Sequence, residues 1–420
     1  MPWKETCVVD ERMRFVVEYE RDELSMTGLC AKYGISRKSG YKWLARAAEE
    51  GLAGLRDRSK APHRHPNEVS TEIEQAIVAM RVSHPTWGPK KVLHRLQQQD
   101  VVTGWPARST VAEILRRAGL VSPRRVRRRV PVHQQPFADC EGPNAVWCTD
   151  FKGWFRTRDG QRCDPLTISD AFSRYLIRCQ AVNDTSGAGI RPLFEAAFRE
   201  YGLPGAIRSD NGPPFASRAI GGLSRLSVWW IKLGIRPERI EPGKPQQNGR
   251  HERMHLTLKG DTACPPAGTL RGQQRRFDAF RKEFNQERPH EALEMATPAS
   301  RYELSVRPYP AQEPQVTYPS DWPWRMVRQS GEVKFHGRFF LSEALTGEPV
   351  GFEPLDGRLW RVHFGPVALG WFDEHLHRML TAPEIKRAGL TVRPPAGKPP
   401  SATLQEASQH TQEVLPMSLD

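Results

Sequence analysis

No stretch of this chain approaches the ~18 consecutive apolar residues that a membrane-spanning helix needs. Its first residues, Met1-Pro2-Trp3-Lys4-Glu5, lack the apolar core of a secretory leader. The cysteines are few and ill-matched: Cys7, Cys30, Cys140, Cys148, Cys163, Cys179 and Cys264 make seven, scattered, with no Cys-x-x-Cys pair. That disfavours a disulfide framework and a structural zinc site, and it fits a reducing cytosol. Negative charge is also short. Asp and Glu number 48 against 62 Lys and Arg, leaving +14. An acidic partner is implied, with nucleic acid ahead of an anionic membrane surface. Apolar residues still make up 38% of the 420, enough for buried cores. At about 150 residues per domain, the length predicts two to four domains.

Residues 11–60 read as helical. A helix from Met26 to Tyr33, a turn at Gly34-Ile35 and a second helix capped by Ser36 give a helix-turn-helix. The second helix carries Arg37, Lys38, Tyr41, Lys42 and Arg46, residues suited to phosphates and base edges in a major groove. Residues 61–122 repeat the theme loosely. Ile73, Ile77 and Met80 have helical spacing. Thr86 is a candidate cap, Pro89 suits a first turn, and Lys90, Lys91 and Arg95 come next on a helix. A last helix runs from about Ser109 to Ala118, with Gly119 as its stop. We expect a second helical DNA-binding unit here, with Lys90 and Lys91 as DNA contacts. Seven arginines then fall within positions 116–129. Among them Arg124, Arg125, Arg127 and Arg128 lie in a segment, 123–138, expected to run along a phosphate backbone as a linker.

From Asn144 the pattern changes. Strands are expected over Ala145–Phe155, Leu166–Ser169, Tyr175–Val182, Ala206–Ser209 and Arg236–Ile240. Helices are expected over Ile190–Tyr201, Leu223–Leu233, Gln246–Lys259 and Leu270–Glu287. Three meandering strands followed by alternating helix and strand predict an α/β mixed sheet flanked by helices. Residues 303–322 are Pro-rich and read as a linker. Short Gly- and Asp-punctuated strands in 323–382 predict a small all-β barrel, and 383–420 a disordered tail.

Three acidic residues stand out by their flanks. Asp150 lies in the apolar run Val146-Trp147-Cys148-Thr149-Asp150-Phe151, where an unpaired carboxylate costs several kcal/mol. Asp210 ends a short buried strand before Asn211-Gly212, where it could equally be a plain turn residue. Glu252 sits on the Gln246–Lys259 helix, where a surface glutamate is ordinary. It is the ordered set that carries meaning. Trp147-x-x-Asp150, then Ser209-Asp210-Asn211-Gly212-x-x-Phe215, then Lys244-Pro245-Gln246-Gln247-Asn248-Gly249-x-x-Glu252 resembles the Asp-Asp-Glu core of insertion-sequence transposases and retroviral integrases. Phe284-Asn285-x-x-Arg288-Pro289-His290-x-x-Leu293-x-x-x-Thr297-Pro298 is similar to the segment just downstream of that core in bacterial members. The resemblance covers roughly residues 139–302.

The resemblance implies a ribonuclease-H-like core with Asp150 on the first strand, Asp210 ending the fourth and Glu252 on a later helix. Together these would bind two Mg²⁺ or Mn²⁺ ions. It implies a DNA transposase that frees 3′-OH ends of a mobile element and joins them to target DNA, in a bacterial, nucleoid-associated setting. It further implies a homo-oligomer on double-stranded DNA, with Lys244 and Lys259 as DNA contacts. Lys259 is seven residues beyond Glu252 on the same helix face. The other reading is a transposase-derived DNA-binding regulator without catalysis. Departures exist. The Asp210–Glu252 interval of 42 positions exceeds the commonest family spacing, with the surplus around Gly221–Leu233, and Glu238 and Glu241 are rivals to Glu252. The Pro-Gln-x-Asn-Gly flank favours Glu252. The His/Cys zinc domain of retroviral integrases is absent from the sequence, helical units standing in its place.

Overall fold

The computed structural model describes residues 7–60, 68–99, 104–121, 140–217, 220–239, 249–355 and 358–387. Arg124, Arg125, Arg127, Arg128, Glu241 and Lys244 lie outside these. The chain divides into two compact units, Met1–Val69 and Ser70–Asp420.

The first unit is three helices, α1 (Val8–Glu20), α2 (Met26–Lys32) and α3 (Arg37–Glu50). Ser25 and Ser36 cap α2 and α3 by accepting from the Gly28 and Ser39 N–H groups. Gly34 adopts φ +63° in the turn between them, a conformation a side chain resists. Phe15, Leu29 and Cys30 form the core. A Cβ on Gly40 of α3 would fall 2.8 Å from the Cys30 sulfur, so this glycine lets the helices approach.

The second unit begins with α4 (Thr71–Ser83), α5 (Pro89–Gln98) and α6 (Arg108–Arg117). Pro89 opens α5 as expected, but its N-cap is Gly88. Thr86 is not a cap; its hydroxyl reaches Asp261, far along the chain.

A six-stranded mixed sheet comes next. Its strands are β1 (Val146–Phe151), β2 (Phe155–Arg156), β3 (Arg162–Asp170), β4 (Leu176–Val182), β5 (Ala206–Ser209) and β6 (Arg236–Arg239). β3 lies between β4 and β1, antiparallel to both; β5 and β6 continue parallel to β1. The strand expected over Ala145–Phe155 ends at Phe151, because Gly153 takes φ +88° and breaks the ladder. Helices α7 (Gly187–Tyr201) and α8 (Arg225–Lys232) cover one face through Trp147, Phe194, Phe198, Ile207 and Trp230. The other face is covered by α9 (Gly249–Thr262) and α10 (Leu270–Gln286), through Met254, Leu258, Phe277, Phe280 and Phe284 against Cys163, Leu176 and Cys179.

The C-terminal region is all-β but not a closed barrel. A five-stranded antiparallel sheet holds β13 (Arg378–Met379), β12 (Val367–Asp373), β11 (Leu359–Phe364), β10 (Pro349–Pro354) and β7 (Trp324–Met326) in that order. A separate ribbon pairs β8 (Glu332–Lys334) with β9 (Arg338–Phe340). Closure is unnecessary because α8 completes this core: Val228 and Ile231 join Phe335, Phe352 and Phe364 while Trp229 and Trp230, on the same helix, enter the first core. This also explains a helix apolar all round. The expected linker 303–322 is docked. Arg307 donates to the Pro204, Leu233 and Gly234 carbonyls at 2.9, 2.8 and 3.1 Å, and Val316 enters the β core. The expected disorder from 383 begins instead with a short helix, α11 (Ala382–Arg387); residues 388–420 lie outside the description. Among the described residues no helix is long and apolar enough to cross a membrane.

Candidate active site

Register brings the two aspartates together. Cys148 of β1 is level with Arg208 of β5, so two residues on Asp150 comes level with Asp210, just past the end of β5. Parity puts both side chains on the α9 face, on strands ~4.8 Å apart. The Asp150 side chain is 20% exposed. Burial, then the charge of Asp210, and more weakly that of Glu252, push its carboxyl up to about 7, against help from the Phe151 N–H and Lys152. Burial also raises Asp210, although the Gly212 N–H donates to its Oδ1 at 3.2 Å. Asp210 is thus both a turn residue and a neighbour of Asp150. Glu252 is exposed in the first turn of α9. Among the described residues no three His, Cys, Asp or Glu side chains are drawn together tightly enough to hold an ion.

Two residues without a sequence signal complete the cluster. Thr167 faces Asp150 across the β1–β3 ladder, and its hydroxyl donates to the Asp150 carbonyl at 3.1 Å. The same oxygen lies 2.7 Å from Nε2 of His255, which is 4% exposed, and Nδ1 of that ring is 4.0 Å from the Asp150 carboxylate. Only its place one turn after Glu252 could have drawn attention to His255.

The rival Glu238 is engaged elsewhere. Arg208 and Arg236 each donate to it at 2.7 Å, and their charges outweigh its burial and lower its pKa. Asp164, Asp170 and Asp184 serve structure: Asp164 pairs with Arg162, Asp170 accepts from Ser173 and Asn144, and Asp184 accepts from Ser186.

The expected DNA contacts divide. Arg37, Lys38 and Lys42 are exposed on α3. Arg46 lies over the Trp43 ring with Lys42 and Arg12, at 5.1, 4.9 and 3.7 Å from its centroid. Lys259 is exposed near the end of α9. Lys91 is half-buried. Burial chiefly, and Arg288 next, pull its pKa down to about 8. Lys90 is exposed but reaches Glu291 at 3.4 Å.

Four family models match the chain. A helix-turn-helix domain matches residues 11–63 and a homeodomain-like domain 39–115. Integrase core domains match 141–245 and 233–298. An uncharacterized 31.7 kDa protein of insertion element IS407 from Burkholderia multivorans is 29% identical over 237 residues, covering 56% of this chain and 81% of that protein. An uncharacterized protein of insertion element IS136 from Agrobacterium fabrum is 32% identical over 170 residues, covering 37% and 80%. Among solved structures, the magnesium complex of the HTLV-2 integrase catalytic core aligns with TM-score 0.31 at 17% identity, covering 39% of this chain and 99% of that one. With two helix-turn-helix-type matches ahead of a split integrase core, this chain belongs to the insertion-element transposases, a family of polynucleotidyl transferases with an integrase-like catalytic core.

Proposed function

We propose that this protein binds the terminal inverted repeats of its own mobile element, cleaves there to free 3′-OH ends, and joins those ends to target DNA. The observation that carries the reading is the β1–β5 register that sets Asp150 level with Asp210, with the charges of Asp210 and Glu252 both acting on Asp150. Asp150 is held beside Asp210, within reach of the Glu252 charge, at a cost that raises its pKa to about 7. A pure DNA binder has no use for that destabilised arrangement, which speaks against the regulator reading. We read the mixed sheet as ribonuclease-H-like.

The donor set suits hard divalent cations, since all three groups offer carboxylate oxygens and two of them repel each other when charged. Asp150, Asp210 and Glu252 would hold two Mg²⁺ or Mn²⁺ ions. Bound there, the ions would supply Lewis-acid stabilisation of charge at the phosphate. Thr167 and His255 steady the Asp150 strand end. Lys259, and Lys244 with it, would contact the element end. Arg37, Lys38, Lys42 and Arg46 would engage duplex outside the core, as would Arg124, Arg125, Arg127 and Arg128. In the first step water attacks phosphorus and the 3′ oxygen leaves with a proton. In the second that 3′ oxygen attacks a target phosphate and displaces the target's own 3′ oxygen. One ester bond forms as one breaks, so no energy source is required. Pairing two ends calls for at least two copies of the chain.

The test is a joining assay on labelled element ends with Mn²⁺. Asp150→Asn and Glu252→Gln are each expected to lower joining by at least about a thousandfold, roughly 4 kcal/mol of barrier, while binding the ends as before. Full joining by either variant would refute the assignment.

A further inference from the structure

The segment between α4 and α5 carries His84-Pro85-Thr86-Trp87-Gly88-Pro89, and none of it is accounted for by DNA binding. Its tryptophan is buried against α9 and α10, and its other residues lie partly or fully exposed around it. Trp87 is fully buried, stacked on His84 at 3.9 Å, and its indole N–H donates to Glu283 of α10 at 2.7 Å. The Thr86 hydroxyl donates to Asp261 of α9 at 3.2 Å and accepts from Arg288 at 3.1 Å. Arg288, with 6% of its side chain exposed, lies 3.8 Å from Asp261 and 3.7 Å from Glu283. Burial pushes both carboxyls up, and Arg288 offsets that in each. The turn therefore fills a charged notch at the C-terminal end of α9.

That end belongs to the helix bearing Glu252. Asp261 is nine residues on, roughly 13 Å along the axis and half a turn round it. The stripe of Met254, Leu258 and Asp261 faces α10 and the turn, opposite Glu252. The middle of the helix is tied to the sheet by His255 and Thr167. A helix moves as a rod, so a contact at one end fixes the register of the other. Positioning within about 0.5 Å decides whether such a site works.

We propose that the His84–Pro89 turn is an intramolecular latch whose Thr86 and Trp87 are positioning residues for Glu252, tying the α4–α6 helices to assembly of the carboxylate site. The inference rests on the reading of that site as metal-binding. It gives the helical trio a task other than holding phosphates, and it explains why Arg288, outside the carboxylate cluster, is buried under a distant turn.

The test titrates the full-length, DNA-free protein with MnCl₂ by calorimetry, with thermal unfolding alongside. Thr86→Val keeps the shape and removes the hydroxyl. It is expected to weaken Mn²⁺ binding roughly tenfold, the size of one lost hydrogen bond to a charged group, with only a small fall in unfolding temperature. Thr86→Ser, which restores the hydroxyl, should recover most of the affinity. Asp261→Ala breaks the same bond from the helix side and should match Thr86→Val. Wild-type Mn²⁺ affinity in both Thr86→Val and Asp261→Ala would overturn the latch and leave the metal site standing. Failure of the unaltered protein to take up Mn²⁺ would overturn the site reading and the latch with it.

Discussion

Two helical regions of this protein have similar sequence signatures and opposite environments. The α2–α3 pair and the α4–α6 trio each offer capped helices, a tryptophan and a set of lysines and arginines. In the first, Trp43 lies under Arg12, Lys42 and Arg46, a cationic surface with Arg37 and Lys38 beside it. In the second, Trp87 is wholly buried on a carboxylate, and Lys91 nearby is half-buried with a lowered pKa. The difference lies in the partner. Arg12 pairs with Asp57, close by in the same unit, whereas the second turn meets Glu283 and Asp261, and Lys90 of α5 meets Glu291, all supplied from nearly two hundred residues away. Local charge pattern identifies a basic helix; the distant chain decides whether that charge is neutralised internally.

The largest effect should separate the two tryptophans. Trp87→Ala is expected to destabilise the second unit by about 3–5 kcal/mol, as for other large buried aromatics, read as a lowered denaturant midpoint. Trp43→Ala should change stability far less and weaken duplex binding instead. Equal destabilisation by the two would erase the contrast.

Salt dependence gives the next largest effect. Replacing Arg37, Lys38 and Lys42 together by Ala should flatten the slope of log K against log salt by about 0.9 for each phosphate no longer neutralised. Deleting Arg124–Arg129 should flatten it as well. Replacing Lys91 alone should leave the slope unchanged, and a flattened slope there would return α5 to the DNA interface.

The effects of pH on stability have opposite signs. The Asp150 carboxyl sits at about 7 against an ordinary 3.8, so the folded metal-free state holds that proton more tightly than the unfolded chain. Its contribution to stability is complete below pH 3.8 and is lost as pH rises through about 7. Lys91 sits at about 8 against 10.5, so the folded state releases this proton first. Its contribution grows as pH climbs from about 8 to 10.5. Chemical denaturation across pH should show both trends, with Asp150→Asn removing the first and Lys91→Met the second.

Much of the fold was legible because its signals are local. Ser36 caps α3, Pro89 opens α5, and the buried strands bearing Asp150 and leading to Asp210 fall where the apolar runs put them. The candidate site was legible through flanking motifs, and the register of β1 on β5 explains why residues 60 positions apart are neighbours. The errors share a cause. Thr86 read as a candidate cap, 303–322 as a linker and the last strands as a small barrel; what each reading lacked is a surface remote in sequence: Asp261, the Pro204 and Leu233 carbonyls, and the second face of α8.

By itself the amino-acid order determined the elements and the excess of positive charge, and singled out three acidic groups as candidates, since propensity, capping and motif spacing act within a few residues of each other. Tertiary structure alone decided that Glu238 is neutralised by arginines, that His255 and Thr167 attend Asp150, and that Lys91 is half-buried with a lowered pKa. Those outcomes depend on desolvation and on charges brought close by packing, and neither quantity exists until the chain has folded.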